Sequence, residues 1–254
     1  MQVDLNCDMG ESFGAYSIGA DEQVMPLITS ANIACGFHGG DPLVMRRTVR
    51  LAKQHLVAVG AHPGFRDLAG FGRRPMQCTP DEIYADVLYQ IGALAAVCKA
   101  EGVPLRHVKP HGALYNMANK DLALASAIVA AVADLDPALL LFAQPGSALE
   151  QAGAAAGLRV IHEVFADRAY NADGSLVARS RPGAVLGDPA AVAAQACQMV
   201  RDGRVTAVTG EVVPVRAETI CVHGDNPHAV APIGRIRDEL AAAGIRIAAP
   251  VSQG

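Results

Sequence analysis

Four short segments of this chain carry an apolar run into a histidine and then turn: NIACGFHGGD (residues 32–41), VGAHPGF (59–65), VKPHGALYN (108–116) and ICVHGDNP (220–227). Gly or Pro follows each of the four histidines, His38, His62, His111 and His223. Each therefore stands where an extended stretch stops and a loop begins. One such segment says little, because a lone histidine is commonly a satisfied core or loop residue. Four of them, distributed through most of the chain, constrain the fold. Parallel strands that close into a barrel bring their C-terminal ends to one rim, and barrel enzymes keep their active sites there.

The rest of the chain fits that architecture. Apolar runs read as strands at residues 3–7, 30–35, 56–61, 107–109, 139–142, 159–163 and 219–223, with a further short one at 246–248. Helical patterns lie between them at 41–54, 80–101, 120–133, 147–156, 189–202 and 228–243. Thr79-Pro80-Asp81-Glu82 and Asp188-Pro189 are helix starts, and Gly102, Gly157, Gly203 and Gly244 fall just past helix ends. Alternation of this kind gives an α/β fold with a parallel sheet and helices outside it. Seven or eight such units with no break in composition favour one closed barrel over residues 1–254 rather than two domains. No GxGxxG follows the first strand, which argues against a dinucleotide-binding open sheet. Two irregular inserts, 66–78 and 170–187, follow strand ends and are placed to cover one mouth. Residues 205–215 read as a small hairpin turning at Gly210.

Composition excludes some functions. A net charge of −4 argues against a nucleic-acid partner, which rewards a basic face. MQVDLNCD has no basic n-region, and the Ala-rich run 123–133 is too short to span a bilayer, so no membrane role is expected. The six cysteines show no CxxC pair; reduced thiols in a cytoplasmic protein are the plain reading, with Cys7, Cys35 and Cys221 acting as small hydrophobes inside apolar runs.

Chemistry concentrates at the strand ends. Period-two alternation puts Asp4, Asn6 and Asp8 on one strand face and Val3, Leu5 and Cys7 on the other, and MGESFG carries Glu11 over the strand end. Two acids at one rim suit acid–base work or cation binding. Asp41 is explained as a helix cap, whereas His38 and His62 are not explained by capping. Lys109, at a strand end, needs a buried acid from the first strand or a substrate to neutralise it. Tyr115 and Asn116 are placed on the loop that follows. Glu163 ends the sixth strand; Arg168 and Arg179 form a potential carboxylate clamp, although Asp167 and Arg168 also read as a local surface pair. His223 completes the set, beside Asp225. Asp8, His38 and His62 are an O/N/N set of the kind that binds zinc, without any local HxxxH spacing behind it.

Seven blocks together resemble the LamB/YcsF family: DLNCDMGESFG, NIACGFHGGD, GAHPGF, VKPHGALYN, EVFADRAY, LVARSRPG and ICVHGDNP. They run almost end to end, and one position departs, Gly39 standing where the family usually has Ala. The resemblance implies an irregular seven-stranded β/α barrel similar to the glycoside hydrolase and deacetylase barrels. It implies ATP-dependent opening of 5-oxo-L-proline to L-glutamate by the A component of a 5-oxoprolinase, working with subunits B and C. Because the chain has no GxxxxGK[ST], ATP is expected to be handled mainly by those partners. Asp8, Glu11, His38, His62, Lys109 and His111 are then the expected catalytic residues, with Asn6, Glu163, Arg168, Arg179 and His223 binding substrate. The alternatives are a stand-alone metal-dependent hydrolase or deacetylase, and a scaffold protein without catalysis.

Overall fold

The strand β1 (Gln2–Met9) shows how the barrel is built. Its odd-numbered side chains, Val3, Leu5, Cys7 and Met9, join the main apolar core, while Asp4, Asn6 and Asp8 are buried on the other face. The computed structural model describes residues 1–222 and 230–251. β2 (Ser30–Ala34), β3 (Ala58–His62), β4 (Leu105–Val108), β5 (Leu140–Ala143) and β6 (Val160–Phe165) follow β1 in sequence order, each parallel to the one before. β7 (Arg204–Thr206) and β8 (Val212–Pro214) form an antiparallel hairpin outside this order, with Gly210 in its turn. β9 (Thr219–Cys221) then pairs parallel with both β6 and β1, and closes a barrel of seven strands. β10 (Arg246–Ile247) adds two residues beside the start of β1.

The helices are α1 (Asp21–Val24), α2 (Pro42–Gln54), α3 (Pro80–Glu101), α4 (Gly112–Ala118), α5 (Leu122–Leu135), α6 (Ala148–Ala155), α7 (Pro189–Asp202) and α8 (Val230–Ala242). Their starts follow the sequence signals. Asp41 accepts from Leu43 N and Val44 N to cap α2, Thr79 and Glu82 form a capping box on α3, and Asp188 caps α7. α3 has 22 residues and is apolar enough to cross a membrane by composition. Here it lies on the barrel: Ile83, Val87, Ile91 and Leu94 are buried, and the buried Gln90 bonds both the N–H and the carbonyl of Gly64.

Two sequence expectations need correcting. Residues 112–118 are helical, so Tyr115 and Asn116 stand on α4 and not on a loop. The local turn chemistry at Pro110-His111-Gly112 masked a helix too short to show a period. Strand limits also shift: β4 stops at Val108, leaving Lys109 just beyond it, and β6 runs on to Phe165. Neighbouring strands set these limits through pairing, which no local pattern encodes.

The barrel interior is polar around β1 and apolar on the opposite side. Leu140, Phe142 and Ile161 form their own small cluster, and the His107 ring stacks on Phe142 with centroids 4.1 Å apart. Gly60 makes room for that ring, since a Cβ there would lie 2.1 Å from it. Burial pushes the His107 pKa down to about 3, so its Nε2 donates to Asn32 Oδ1 (2.8 Å) as a neutral imidazole.

On β6, His162 is clasped by two acids, Glu150 from α6 (2.6 Å) and Glu218. The Glu218 bond chiefly raises the His162 pKa, and the same bond lowers that of Glu218. The His162 contribution to stability is fully present below its unfolded-state value of 6.5 and is lost as pH rises through the raised folded value. The Glu218 contribution is present above 4.5 and is lost as pH falls through the lowered value. The difference in Tm between the natural chain and His162→Gln should therefore be widest between these two values and should shrink toward alkaline and strongly acid pH, as read by thermal scans across a pH series.

Candidate active site

The floor of the site is a hydrogen-bonded column rising through the barrel. Asp4 accepts from three hydroxyls, those of Thr29 (2.6 Å), Ser30 (2.8 Å) and Thr219 (2.6 Å). Burial still pushes its pKa up to about 6. Above it, Asn6 Nδ2 donates to Thr219 Oγ1 (2.7 Å) and Glu163 Oε1 (3.0 Å), and Asn32 Nδ2 donates to Asn6 Oδ1 (2.7 Å) and Asp8 Oδ1 (2.9 Å). Lys109 then crosses from the end of β4. Its Nζ lies 2.8 Å from Asp8 Oδ1, 3.2 Å from Glu163 Oε1 and 3.0 Å from Cys221 Sγ. Burial opposes the charge, yet Asp8, Cys221 and Glu163 together hold the ammonium well above the usual lysine range. The first strand thus supplies the acid partner expected for Lys109.

The rim is built from imidazoles. His38 and His111 stack nearly parallel with centroids 3.7 Å apart, and His62 meets both edge-on. All three are almost fully buried. Burial first, then mutual repulsion with neighbouring histidines, pushes His38 and His111 well below the usual histidine range. Backbone carbonyls fix two of the tautomers: His62 Nδ1 meets Lys109 O at 2.7 Å and His111 Nε2 meets Phe71 O at 2.8 Å. A carbonyl only accepts, so these two nitrogens carry the protons. The other nitrogens, His62 Nε2 and His111 Nδ1, face each other at 2.9 Å. Asp8 Oδ2 lies 3.2 Å from His62 Nε2, and Glu11 Oε1 lies 3.4 Å from His38 Nε2 and 3.9 Å from His111 Nδ1.

The insert 66–78 locks these rings in place. Gly72 has φ +62° and no room for a side chain: a Cβ would sit 2.6 Å from His38 and 2.8 Å from the His111 ring. Beside it Phe71, at φ 55°, adopts a conformation that L side chains rarely take, and its carbonyl is the one that accepts from His111. The Phe71 ring stands edge-on to both His38 and His111.

A cavity of about 560 Å³ opens above Asp8, His62, Lys109 and His111. Arg73 from one insert and residues 173–180 from the other line it, so both inserts border the mouth. Arg168 lines the same cavity and is 4% exposed, which overturns its reading as a surface pair with Asp167, itself also buried. Arg168 donates to the carbonyls of Ala184 (3.2 Å) and Val177 (2.6 Å). Burial, with Arg179 beside it, lowers its pKa to about 10. Tyr115 also lines the cavity, its buried phenol pushed well up by burial and by the Glu163 charge.

The structure thus brings together Asn6, Asp8, Glu11, His38, His62, Lys109, His111 and Glu163, with Arg168 and Arg179 on the cavity wall. Glu11 and His111 join His38 and His62 in one group whose ligand atoms all lie within 4.8 Å of one another. Asp8 stands between that group and Lys109. His223 and Asp225 lie outside the described residues. A profile of the LamB/YcsF family matches residues 3–253. The chain belongs to the LamB/YcsF family. A member from Symbiobacterium thermophilum, named as the A subunit of 5-oxoprolinase, is 70% identical over 249 residues, covering 98% of this chain and 95% of that one. One of the same name from Geobacillus kaustophilus is 59% identical, covering 98% and 96%. The crystal structure of a lactam utilization protein from Thermus thermophilus superposes with a TM-score of 0.94 at 53% identity, covering 98% of this chain and all of that one.

Some residues of this LamB/YcsF site escape sequence reasoning. Asn32 carries a signal, as a polar residue that shares one face of β2 with Ser30 among apolar neighbours. Cys221 carried none, because a strand cysteine reads as a small hydrophobe until Lys109 is found against it. Replacing Lys109 by Met removes the counter-charge from two buried carboxylates, and should cost roughly 3–5 kcal/mol in urea unfolding.

Proposed function

We propose that this chain is the A component of a 5-oxoprolinase, which opens 5-oxo-L-proline to L-glutamate in an ATP-coupled reaction with partner subunits B and C. The observation that carries this reading is the Lys109 ammonium at the base of a cavity whose wall holds Arg168 and Arg179. A lactam carbonyl is a poor electrophile, and a buried, preorganised cation favours the negative charge that develops on its oxygen when water attacks. Arg168 and Arg179 receive the carboxylate of the substrate. Asp8 or Glu11 takes the proton of the attacking water, while His38, His62 and His111 orient or protonate the reacting group. Asn6 and Glu163 hold Lys109 in place.

The names of the relatives support partner proteins, since a component lettered A is one of several. The chain has no P-loop sequence, so we assign the phosphoryl chemistry of ATP mainly to those partners, and we read the reaction as cytoplasmic from the unpaired cysteines.

An assay of ATP-dependent glutamate release, run with this chain alone and with subunits B and C, tests the reading. Turnover should appear only in the full mixture with ATP; ATP-independent turnover by this chain alone would reject it. In the reconstituted complex Asp8→Asn and Lys109→Ala should each lower kcat by about 100-fold or more. Full activity in both variants would sink the rim site. Arg179→Ala should raise KM by about tenfold with a smaller change in kcat, the pattern of lost ground-state binding.

A further inference from the structure

We propose that Glu11, His38, His62 and His111 form a binding site for a divalent transition-metal ion at the barrel rim. The proposal concerns binding by this chain alone; with an ion bound, Glu11, His38, His62 and His111 act as ligands and the proton of the attacking water falls to Asp8.

The tautomers carry the argument. With their protons committed to the carbonyls of Lys109 and Phe71, His62 Nε2 and His111 Nδ1 present bare lone pairs to each other at 2.9 Å. Two lone pairs at that distance repel unless something positive sits between or beside them. Glu11 Oε1 adds negative charge 3.9 Å from His111 Nδ1 and 3.4 Å from His38 Nε2. Neither ring nitrogen of His38 has a hydrogen-bond partner, although the side chain is fully buried. A buried imidazole without hydrogen bonds is costly, and a ligated ion removes that cost at one nitrogen. Ligands about 2.1 Å from a tetrahedral ion lie about 3.4 Å from one another. Three of the six pairs in this group, at 2.9, 3.4 and 3.9 Å, bracket that spacing, and all of its ligand atoms lie within 4.8 Å of one another.

The donor set selects the ion class. Three imidazoles and one carboxylate suit zinc and its first-row neighbours, and are too nitrogen-rich for calcium or magnesium. The carbonyl bonds to His62 and His111 are of the kind that orients metal-bound histidines. Gly72 and Phe71 pack against the His38 and His111 rings, so these are preorganised by the fold. Such an ion supplies Lewis-acid chemistry toward a carbonyl or water oxygen. The opposing occupant is a proton, shared between His62 and His111 as an imidazolium pair.

Metal-stripped full-length chain dialysed against Zn²⁺ or Co²⁺ decides between them. Elemental analysis should find about one ion per chain, and Co²⁺ should give the visible absorption of a low-coordinate nitrogen–oxygen site. Glu11→Gln and His38→Ala should weaken binding by about 100-fold or more. The exposed His55→Ala should bind as the natural chain does. Circular dichroism checks that the variants fold; should His38→Ala not fold, Glu11→Gln and the cobalt spectrum of the natural chain carry the test. Failure to retain Zn²⁺, Co²⁺, Mn²⁺ or Fe²⁺ at micromolar concentration overturns the proposal, as does undiminished binding in the folded variants. An imidazolium signal from His62 or His111 in ¹⁵N spectra of the metal-free chain, without uptake of any ion, assigns the place to a proton and overturns it too.

Discussion

The interaction on which the rest depends is the burial of one ammonium among carboxylates. Lys109 is 3% exposed and touches Asp8, Glu163 and Cys221, which come from β1, β6 and β9. Those are the three strands that close the barrel. A charge inside a fold is tolerated only with its partners in place, so Lys109 and the closure of the ring require each other. The amides of Asn6 and Asn32 spread this requirement over the interior by donating to Glu163 Oε1 and Asp8 Oδ1.

Lys109 also joins the floor to the rim. Its side chain fixes Asp8, while its backbone carbonyl fixes the tautomer of His62. The lower layer of acids and ammonium and the upper layer of imidazoles are therefore tied together by one residue. The two layers differ in kind: below, acids and an ammonium compensate each other through hydrogen bonds; above, the ligand atoms of Glu11, His38, His62 and His111 lie within 4.8 Å of one another. The cavity gives access to both, with arginines on its outer wall.

Much of this was legible in the sequence. The alternation in Asp4-Leu5-Asn6-Cys7-Asp8 named the inward column, the strand-end histidines named the rim, and the need of Lys109 for an acid was met by Asp8. Helix caps at Asp41, Thr79 and Asp188 were legible because capping is local. What escaped is non-local. No residue near His111 indicates that Phe71, forty positions earlier, turns a carbonyl toward it. The sequence leaves Arg168 open between a carboxylate clamp and a surface pair, because its burial comes from the chain that folds back at Val177 and Ala184. The pairing of Cys221 with Lys109 spans 112 residues and leaves no trace in either segment.

The bond between Thr219 and Asp4 spans 215 positions and ties the last strand of the ring to the first. Chain synthesis delivers β1 before the strands it pairs with, its three polar groups facing a barrel that does not yet exist. Until Thr219, Cys221 and Glu163 arrive, Asp4, Asn6 and Asp8 have only water and the early strands for company. The interior charges become fixed only once β9 has been made. The reactive centre is thus a late product of folding, and no N-terminal fragment can carry it in working form.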